Sequence, residues 1–500
     1  MKDYDIVVIG MGAGSIIADA AIAKGGRCAV IENGKFGGTC LNRGCIPTKV
    51  IVQAADYARK FEKMRKIGVN GEFLGVDLAK IKSRVWQKID ENKDVRDYYK
   101  AQKNVDVYDD TAFFTGKREL ELKSSGEKLT GKKIVIASGA RTKVPDIKGL
   151  EKIDFLTSEN IFDDRFPSKP YKSLIVVGGG AIGLEFASMF SAFGSKVSIV
   201  QHNVRLSPKS DEDLSQKILE IFKSYGIEVY LNKETPSIEK DGDLIKLTVK
   251  DRSTGELSVV TGSDILIAPG VRSNADLLHL ENTGVETAKN GYILTNEFLQ
   301  TTCEGIFAIG DINGKFQLRH KANYEAEVLA HNLFFKKSGS DYRWARYDNV
   351  PSVIYTQPEI AFVGLSEQEA VKKGYSVKTA IHHYSQTAKG YAMGYESGDT
   401  DDGFVKLIVN ADTDEFLGAQ AIGDDASLLI QPYIELMNTG NSVIKPVEES
   451  IAHGEVNSLR SMPLERYLKP NTLSTTDETM VPHPSLNEVG IWTKYFEWNK

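Results

Sequence analysis

The chain opens on a short run of apolar residues that leads directly into glycines. Residues 4–9, YDIVVI, are apolar enough for a buried parallel strand, and GMGAGS follows at residues 10–15. A segment with helical periodicity comes next, and a second apolar run, RCAVIE, ends at Glu32. Strand, glycine turn, helix, strand and acidic residue is the order of a dinucleotide-binding unit, so the pattern predicts one here.

Each position of this glycine turn has a physical reason. Gly10 allows the tight turn, and Gly12 lets backbone NH groups approach a pyrophosphate at the positive end of the helix dipole. Glu32 would accept hydrogen bonds from the adenosine ribose. Ser15 stands where the pattern has its third glycine. Because serine is small, we expect helix and strand to pack closely at this position.

The same pattern recurs in the middle of the chain. Residues 173–183 read SLIVVGGGAIG, with glycines at Gly178, Gly180 and Gly183, followed by a helical segment and the apolar run KVSIV. Two such units predict two bound dinucleotides, or one that is used twice.

The second unit lacks the acid that would contact a ribose hydroxyl. Its second strand ends at Gln201, and His202 and Arg205 follow, which offer some positive and no negative charge. These residues suit a ribose 2'-phosphate better than a free hydroxyl, and they favour NADPH over NADH. A solvated turn is the other interpretation.

Composition narrows the class of protein. Hydrophobic residues make up 41% of the 500 positions, and no stretch approaches the roughly 18 consecutive apolar residues of a membrane helix. The formal charge of -6 gives no basic surface for nucleic acid. The start, MKDYDIVVIG, lacks the features of a signal peptide. We therefore expect a cytoplasmic protein of about three domains, with neither membrane nor nucleic acid as a partner.

Two of the four cysteines lie close together. Cys40 and Cys45 belong to GGTCLNRGCIPTK at residues 37–49, whereas Cys28 and Cys303 stand alone in apolar runs and are predicted to be small core residues. A zinc site needs about four N or S ligands, and no second cysteine pair exists, so no metal site is predicted. A cytoplasmic chain with so few cysteines is not held by structural disulfides. The pair is therefore predicted to be catalytic.

The second cysteine of the pair is predicted to lie at the start of a helix. Pro47 suits a first helical turn, and the residues after it carry helical periodicity. The helix dipole would favour the Cys45 thiolate and lower its pKa. Lys49 follows one turn later on the same face.

Taken together, these motifs resemble those of the pyridine nucleotide-disulfide oxidoreductases, the flavoproteins that include dihydrolipoamide dehydrogenase and the glutathione, mycothione and mercuric reductases. The resemblance rests on both glycine turns and the cysteine motif, and it extends over nearly the whole chain. The further matching segments are IVIASGAR at 134–141, APGVRSN at 268–274, IFAIGDINGKFQLRHKA at 306–322, YTQPEIAFVGL at 355–365 and HPSLNE at 483–488.

The resemblance implies an α/β fold with two Rossmann-like dinucleotide-binding domains, for FAD and NAD(P), and a C-terminal α+β dimerisation domain. A homodimer and a small-molecule disulfide or dithiol substrate are implied with it. The implied domains are 1–148 for the first part of the FAD domain, 149–272 for NAD(P), 273–345 for the second part of the FAD domain and 346–500 for the dimer interface, with an insertion near 454–481.

The resemblance also implies the residues around each cofactor. Those around FAD are Gly10, Gly12, Gly14, Ser15, Glu32, Gly38, Thr39, Ala112, Ser138, Gly139, Gly310, Asp311, Leu318, Arg319 and Ala322. Those around NADPH or NADH are Gly178, Gly180, Ala181, Ile182, Gly183, Gln201, His202, Arg205, Gly270 and Arg272.

Carried over to this chain, the family's chemistry divides the cysteine pair. Cys45 would exchange electrons with the flavin, and Cys40 would attack the substrate disulfide. Lys49 would pair with Glu185 near the flavin.

The proton donor for the departing thiolate is implied to be His483, oriented by Glu488 and serving the active site of the partner subunit. A histidine suits this task because its unperturbed pKa is about 6.5. His453 is the rival, but it lacks the adjacent proline and the correctly spaced acid.

The motifs shared by the family do not by themselves identify the substrate. Several segments resemble mycothione reductase, which favours reduction of the disulfide of a low-molecular-weight thiol. NAD-linked oxidation of dihydrolipoamide is the alternative, and a flavoprotein that binds or regulates without turnover is the other class. Mercuric reductase and large thioredoxin reductases use a further cysteine pair or selenocysteine near the C-terminus, whereas the last cysteine here is Cys303.

Overall fold

The computed structural model describes residues 1–443, 465–468 and 478–484. Its strands are, in chain order, β1 (Lys2–Ile9), β2 (Cys28–Ile31), β3 (Val105–Tyr108), β4 (Ala112–Gly116), β5 (Glu119–Leu122), β6 (Lys128–Ile136), β7 (Ala140–Thr142), β8 (Ser173–Val177), β9 (Lys196–Val200), β10 (Glu228–Tyr230), β11 (Lys233–Asp241), β12 (Leu244–Asp251), β13 (Leu257–Gly262), β14 (Asp264–Ile267), β15 (Val271–Ser273), β16 (Ile306–Ala308), β17 (Ser352–Ile354), β18 (Glu359–Gly364), β19 (Val377–His383), β20 (Phe404–Asn410), β21 (Phe416–Gly423), β22 (Gly440–Val443) and β23 (Glu465–Leu468).

The α-helices follow single strands in both glycine-turn units, and four of them lie in succession between β2 and β3. They are α1 (Gly14–Ala23), α2 (Gly38–Asn42), α3 (Cys45–Lys66), α4 (Leu78–Asp90), α5 (Val95–Lys100), α6 (Ala181–Ala192), α7 (Glu212–Ser224), α8 (Arg319–Ala330), α9 (Glu367–Lys372), α10 (Ala388–Ala392), α11 (Ala426–Leu429) and α12 (Gln431–Asn438). None of the described helices is both long and apolar enough to cross a membrane.

The first sheet is built around the predicted N-terminal unit. Its strand order is β3-β2-β1-β6-β5-β4, and β16 also pairs with β6. The pairs β2–β3, β1–β2, β1–β6 and β6–β16 are parallel, with Ile134 opposite Ile306. The chain therefore returns to its first sheet after it has passed through the second dinucleotide unit.

The second unit forms its own parallel sheet in the order β10-β9-β8-β14. The antiparallel sheet β11-β12-β13 packs beside it, and Ile245, Leu247 and Val249 share a core with Ile175. Strands β7 and β15 pair with each other. They mark the two points at which the chain enters and leaves this region.

The remaining described residues form an antiparallel sheet, β17-β18-β21-β20-β19, covered by α11 and α12. The structure therefore has the predicted fold, with two Rossmann-like units and a third α+β unit. Within the stretch predicted to be an insertion, β23 pairs with β22. The limits of the domains stay a prediction.

A buried charge cluster joins the second and third units. Lys406 of β20 is almost fully buried, and its Nζ lies 2.9 Å from Asp211, 2.6 Å from Asp213 and 2.5 Å from Glu367. Because Asp211 and Asp213 lie at the start of α7, whereas Glu367 lies in α9, one ammonium group holds three elements together.

Candidate active site

The first glycine turn is built by close backbone approaches. Gly10 has φ +96°, and a Cβ there would lie 2.4 Å from the carbonyl oxygen of Ala137. Helix α1 starts at Gly14, where a Cβ would lie 2.7 Å from the Val8 side chain. Ser15 instead turns its hydroxyl back to donate to the Gly12 carbonyl at 2.8 Å. The expectation that Ser15 is the close-packing position is corrected, because Gly14 makes the contact with the strand.

The second turn repeats this construction with its own close-packing glycine. A Cβ on Gly183 would lie 1.9 Å from the Gly178 carbonyl oxygen, whereas Gly180 faces open space. Ala181 and Ile182 form the first turn of α6. These positions leave room for a phosphate group at the start of the helix.

The cysteine motif folds into two helices that meet between the thiols. Cys40 lies in α2, and Cys45 is the first residue of α3, as its sequence context predicts. The buried Asn42 side chain, between them, donates to the carbonyl oxygens of Phe36 and Gly38, both at 2.9 Å. Asn42 thereby fixes the turn that carries Cys40.

The two thiols are coupled, and their pKa values move apart. A hydrogen bond from Cys40 and, to a smaller extent, the charge of Lys49 outweigh the cost of burial, and together they lower the pKa of Cys45 to about 6. The same hydrogen bond, together with burial, raises the pKa of Cys40 well above its usual range. The proton therefore stays on Cys40, and the thiolate is Cys45.

A histidine reaches the thiol that keeps its proton. His483 Nε2 lies 3.3 Å from Cys40 Sγ. The contact is made within the one chain described, and the delivery of His483 to a partner subunit stays a prediction. The segment before it packs on its own chain: Met480 joins the apolar core around α1 and α8, and Val481 is buried. Glu488 and His453 lie outside the described residues.

The predicted pair Lys49 and Glu185 is present as an ion pair. Lys49 Nζ donates to Glu185 at 2.8 Å and lies 4.3 Å from the centre of the Tyr355 ring. The backbone NH of Tyr355 donates to the other Glu185 oxygen at 3.0 Å. Helices α3 and α6 are thus joined directly beneath the cysteine pair.

The residues between the first glycine turn and the cysteines suit FAD. A Cβ on Gly38 would lie 2.7 Å from the Gly12 backbone, so no side chain fits where the two backbones meet. Ser138 Oγ is buried with no hydrogen-bond partner among the described residues. Burial raises the pKa of Asp311, whose carboxylate faces the charge of Lys321. An excluded Cβ, an orphaned hydroxyl and a buried carboxylate fit a dinucleotide with ribose and ribityl hydroxyls.

The other residues implied around FAD lie along the same sheet edge or at the start of α8. Glu32 accepts a hydrogen bond from the Met11 backbone at 2.8 Å. Ala112 lies in β4. The remainder are Thr39 in α2, Gly139 after β6, Gly310 in the turn Gly310–Asn313, and Leu318, Arg319 and Ala322 at the start of α8.

Beside the second glycine turn, Gln201 accepts a hydrogen bond from a backbone NH of the turn, as Glu32 does at the first turn. Gln201 Oε1 accepts from the Gly179 backbone at 3.0 Å. Arg205 is engaged in an ion pair with Glu212 at 2.9 Å. A different cation, Arg252, donates to the backbone oxygen of His202 at 3.3 Å.

The two remaining residues implied at this cofactor follow β14. Gly270 faces open space with φ +123°, and Arg272 contacts Asp276. Strand β15, which carries Arg272, pairs with β7 and not with the sheet that carries the second glycine turn.

Comparison with known proteins now decides the family. The model for "Pyridine nucleotide-disulphide oxidoreductase" matches residues 4–326, and the model for the dimerisation domain of the same family matches residues 350–453. The chain belongs to this family. Its members are oxidoreductases that act on sulfur groups and use FAD and NAD(P)H.

Named relatives cover most of the chain. Mycothione reductase of Mycobacterium tuberculosis is 34% identical over 88% of this chain and 94% of that protein. Mercuric reductase of Staphylococcus aureus is 30% identical over 86% and 76%. Dihydrolipoyl dehydrogenase of Corynebacterium glutamicum is 30% identical over 87% and 92%.

A solved structure agrees over the whole fold. The flavoprotein disulfide reductase RclA from Escherichia coli, described as induced by HOCl, covers 97% of this chain and 98% of its own, with a TM-score of 0.75 and 25% identity. RclA has also been solved as a Cu(II) complex.

Sequence patterns did not show the residues that support the site. Asn42 and Tyr355 lie inside quoted motifs, but their contacts depend on how separate elements pack. Arg319 was assigned to FAD, whereas its charge also lowers the pKa of both thiols. Lys321 and Glu325 gave one usable signal, an oppositely charged pair four residues apart in a predicted helix.

The thiolate assignment predicts how the reduced protein is alkylated. The rate at which iodoacetamide modifies Cys45 should rise with a midpoint near pH 6, because the thiolate is the reacting species. In Lys49→Met the midpoint should move up by about one unit, since a nearby cation favours the thiolate. Peptide mass spectrometry measures the two cysteines separately. Lys60→Met, on the same helix, is the control, and an unchanged midpoint in Lys49→Met would contradict the assignment.

Proposed function

We propose that this enzyme reduces the disulfide of a low-molecular-weight thiol with electrons from NADPH, in the cytoplasm. The observation that carries the proposal is the arrangement of three groups: a thiolate on Cys45, a protonated thiol on Cys40 and His483 Nε2 at 3.3 Å from Cys40 Sγ. A nucleophile beside a base that can remove its proton is what attack on a disulfide needs.

The reductive step follows from these groups. His483 takes the proton of Cys40, and the Cys40 sulfur attacks one sulfur of the substrate disulfide, which forms a mixed disulfide. The departing thiolate takes the proton from His483 and leaves as a thiol. Cys45 then attacks the Cys40 sulfur, which forms the Cys40–Cys45 disulfide and expels the second substrate thiolate.

The cofactors complete the electron path. FAD, when bound, carries two electrons from the nicotinamide nucleotide to the Cys40–Cys45 disulfide. Lys49 and Glu185 brace the two helices on which this exchange depends. NADPH is favoured over NADH because Gln201 brings no negative charge, and Arg252 adds a cation beside His202.

NAD-linked oxidation of dihydrolipoamide is the alternative within the same family. It uses the same residues in the opposite direction, and similarity to dihydrolipoyl dehydrogenase supports it. A potential difference of about 30 mV is worth about 1.4 kcal/mol for two electrons, so small changes set the direction.

A steady-state comparison tests the substrate class. NADPH and NADH are each tried with lipoamide, glutathione disulfide, bis-γ-glutamylcystine, mycothione and coenzyme A disulfide, and dihydrolipoamide is tried with NAD. We expect turnover of one of the non-lipoamide disulfides, with NADPH preferred. Rapid oxidation of dihydrolipoamide would assign the alternative. Cys40→Ser should abolish disulfide reduction yet retain FAD and its bleaching by NADPH, whereas Cys303→Ser should behave as wild type.

The dimerisation domain leads us to expect a homodimer. In a homodimer, His483 could serve the active site of its own chain or that of the partner. Within the described chain, Glu478 lies 3.0 Å from Arg343 Nε, and Tyr324 donates to it at 3.2 Å. These buried contacts anchor the segment that carries His483 on its own FAD domain. An exchange of identical segments between subunits would preserve each contact, so only an experiment on mixed dimers separates the two arrangements.

Mixed dimers of Cys40→Ser and His483→Gln chains, isolated through two different tags, make this distinction. If His483 serves its own chain, as the described contact indicates, both sites are defective and disulfide turnover is lost. If it serves the partner, one intact site forms and about half of the activity returns. The control pairs wild type with the double variant C40S/H483Q, for which the two outcomes are reversed.

Reduction of a soft metal ion is a second candidate. The possible ligand atoms of Cys40, Cys45 and His483 all lie within 4.8 Å of one another. Two sulfurs and an imidazole suit copper, and similarity to mercuric reductase and to the copper-binding RclA supports the candidate. Two Cu(II) ions would each take one electron from the reduced pair, in which Cys45 is a thiolate and Cys40 a thiol, and this leaves two Cu(I), the Cys40–Cys45 disulfide and one proton.

This candidate predicts that Cu(II) sustains NADPH oxidation and yields Cu(I), measured with a Cu(I)-specific chelator. Cys40→Ser should lose Cu(I) formation, and His483→Gln should raise the Cu(II) concentration needed for half-maximal rate. Cys303→Ser is the matched cysteine control. Inhibition by Cu(II) without Cu(I) formation would rule the candidate out.

A further inference from the structure

A fully buried ion pair lies in α8, one helical turn from the start of that helix. The side chains of Lys321 and Glu325 are both 0% exposed, and Lys321 Nζ lies 3.2 Å from Glu325 Oε2. Neither residue has a part in the thiol chemistry derived above.

Lys321 and Glu325 each form hydrogen bonds to Gly310 and Asn313, the first and last residues of the turn Gly310–Asn313. Lys321 donates to the Gly310 carbonyl at 2.9 Å and to Asn313 Oδ1 at 3.0 Å. Glu325 accepts from the Gly310 NH at 2.6 Å and from Asn313 Nδ2 at 2.8 Å. Between these two anchored residues lies Asp311.

All hydrogen-bond donors of Lys321 and both carboxylate oxygens of Glu325 have partners. Lys321 has three donors and three acceptors around it, and the second Glu325 oxygen also accepts from the Tyr347 hydroxyl at 2.6 Å. Burying two charges costs several kcal/mol per ion, and apolar replacements of a buried pair are often as stable. Stability of the fold is therefore a poor explanation for this pair, whereas the fixed geometry that it gives the turn is a specific one.

We propose that Lys321 and Glu325 are positioning residues for FAD: they hold the Gly310–Asn313 turn in the conformation that presents Asp311 to the cofactor. The proposal rests on the proposed function, in which the enzyme uses FAD, and on the place beside FAD that the family resemblance implies for Asp311. Burial raises the pKa of Asp311, and the charge of Lys321 opposes this effect. Arg319 acts in the same direction, and Glu325 acts against it.

The test is a mutant cycle on the full-length chain. FAD is removed, and its dissociation constant is measured by flavin fluorescence for wild type, K321M/E325M, Asp311→Asn and the combination of all three substitutions. K321M/E325M removes both charges together, so no uncompensated buried charge remains to unfold the protein. We expect it to raise the dissociation constant at least about tenfold, which is about 1.4 kcal/mol.

The combined variant separates positioning from general damage. If the pair acts through Asp311, the combined variant binds FAD no more weakly than Asp311→Asn alone, because the effects are not additive. Additive losses, or unchanged affinity in K321M/E325M, would overturn the proposal. Wild-type affinity in Asp311→Asn would instead remove the FAD role of Asp311 itself. Lys406→Met, which disrupts another buried charge cluster, is the control and should leave FAD affinity unchanged.

Discussion

One hydrogen bond, between the thiols of Cys40 and Cys45, gives two chemically identical groups different tasks. It stabilises the thiolate at the first residue of α3 and keeps the proton on the neighbour that His483 contacts. Burial alone would raise the pKa of both thiols and leave the pair inert. Lys49 and Arg319 supply positive charge that opposes burial at both thiols, and the hydrogen bond decides which of the two is the thiolate.

The rest of the site holds the two thiols between the first glycine turn and the second dinucleotide unit. Asn42 fixes the turn before Cys45, and the ion pair of Lys49 with Glu185 ties α3 to the second dinucleotide unit. The contact between the Gly12 and Gly38 backbones brings the first glycine turn against the cysteine motif. These contacts join the first glycine turn, the cysteine motif and the second dinucleotide unit directly to one another.

The fold could be predicted because its signals are local. Apolar runs that end in glycine turns predict the two parallel sheets. The residues around Pro47 predict the start of α3. Features that depend on distant contacts were not visible. Gly14 replaces Ser15 as the close-packing residue because of where α1 begins, and Arg205 is occupied because Glu212 starts α7 nearby. The place of His483 follows from the packing of Glu478 and Met480 against α8 and its surroundings, which no spacing in the sequence records.

The return of β16 to the first sheet has a consequence for how the protein is made. Strand β6 pairs with β1 early in the chain, but it cannot gain β16, its second parallel neighbour, until residue 308 has left the ribosome, whereas the sheet β10-β9-β8-β14 needs only residues 173–267. The second unit can therefore fold first during synthesis, while the edge of the earlier sheet is still exposed. Of the two nucleotide-binding halves, the one translated first is completed last, and that interval is when the nascent chain is open to aggregation or to chaperones.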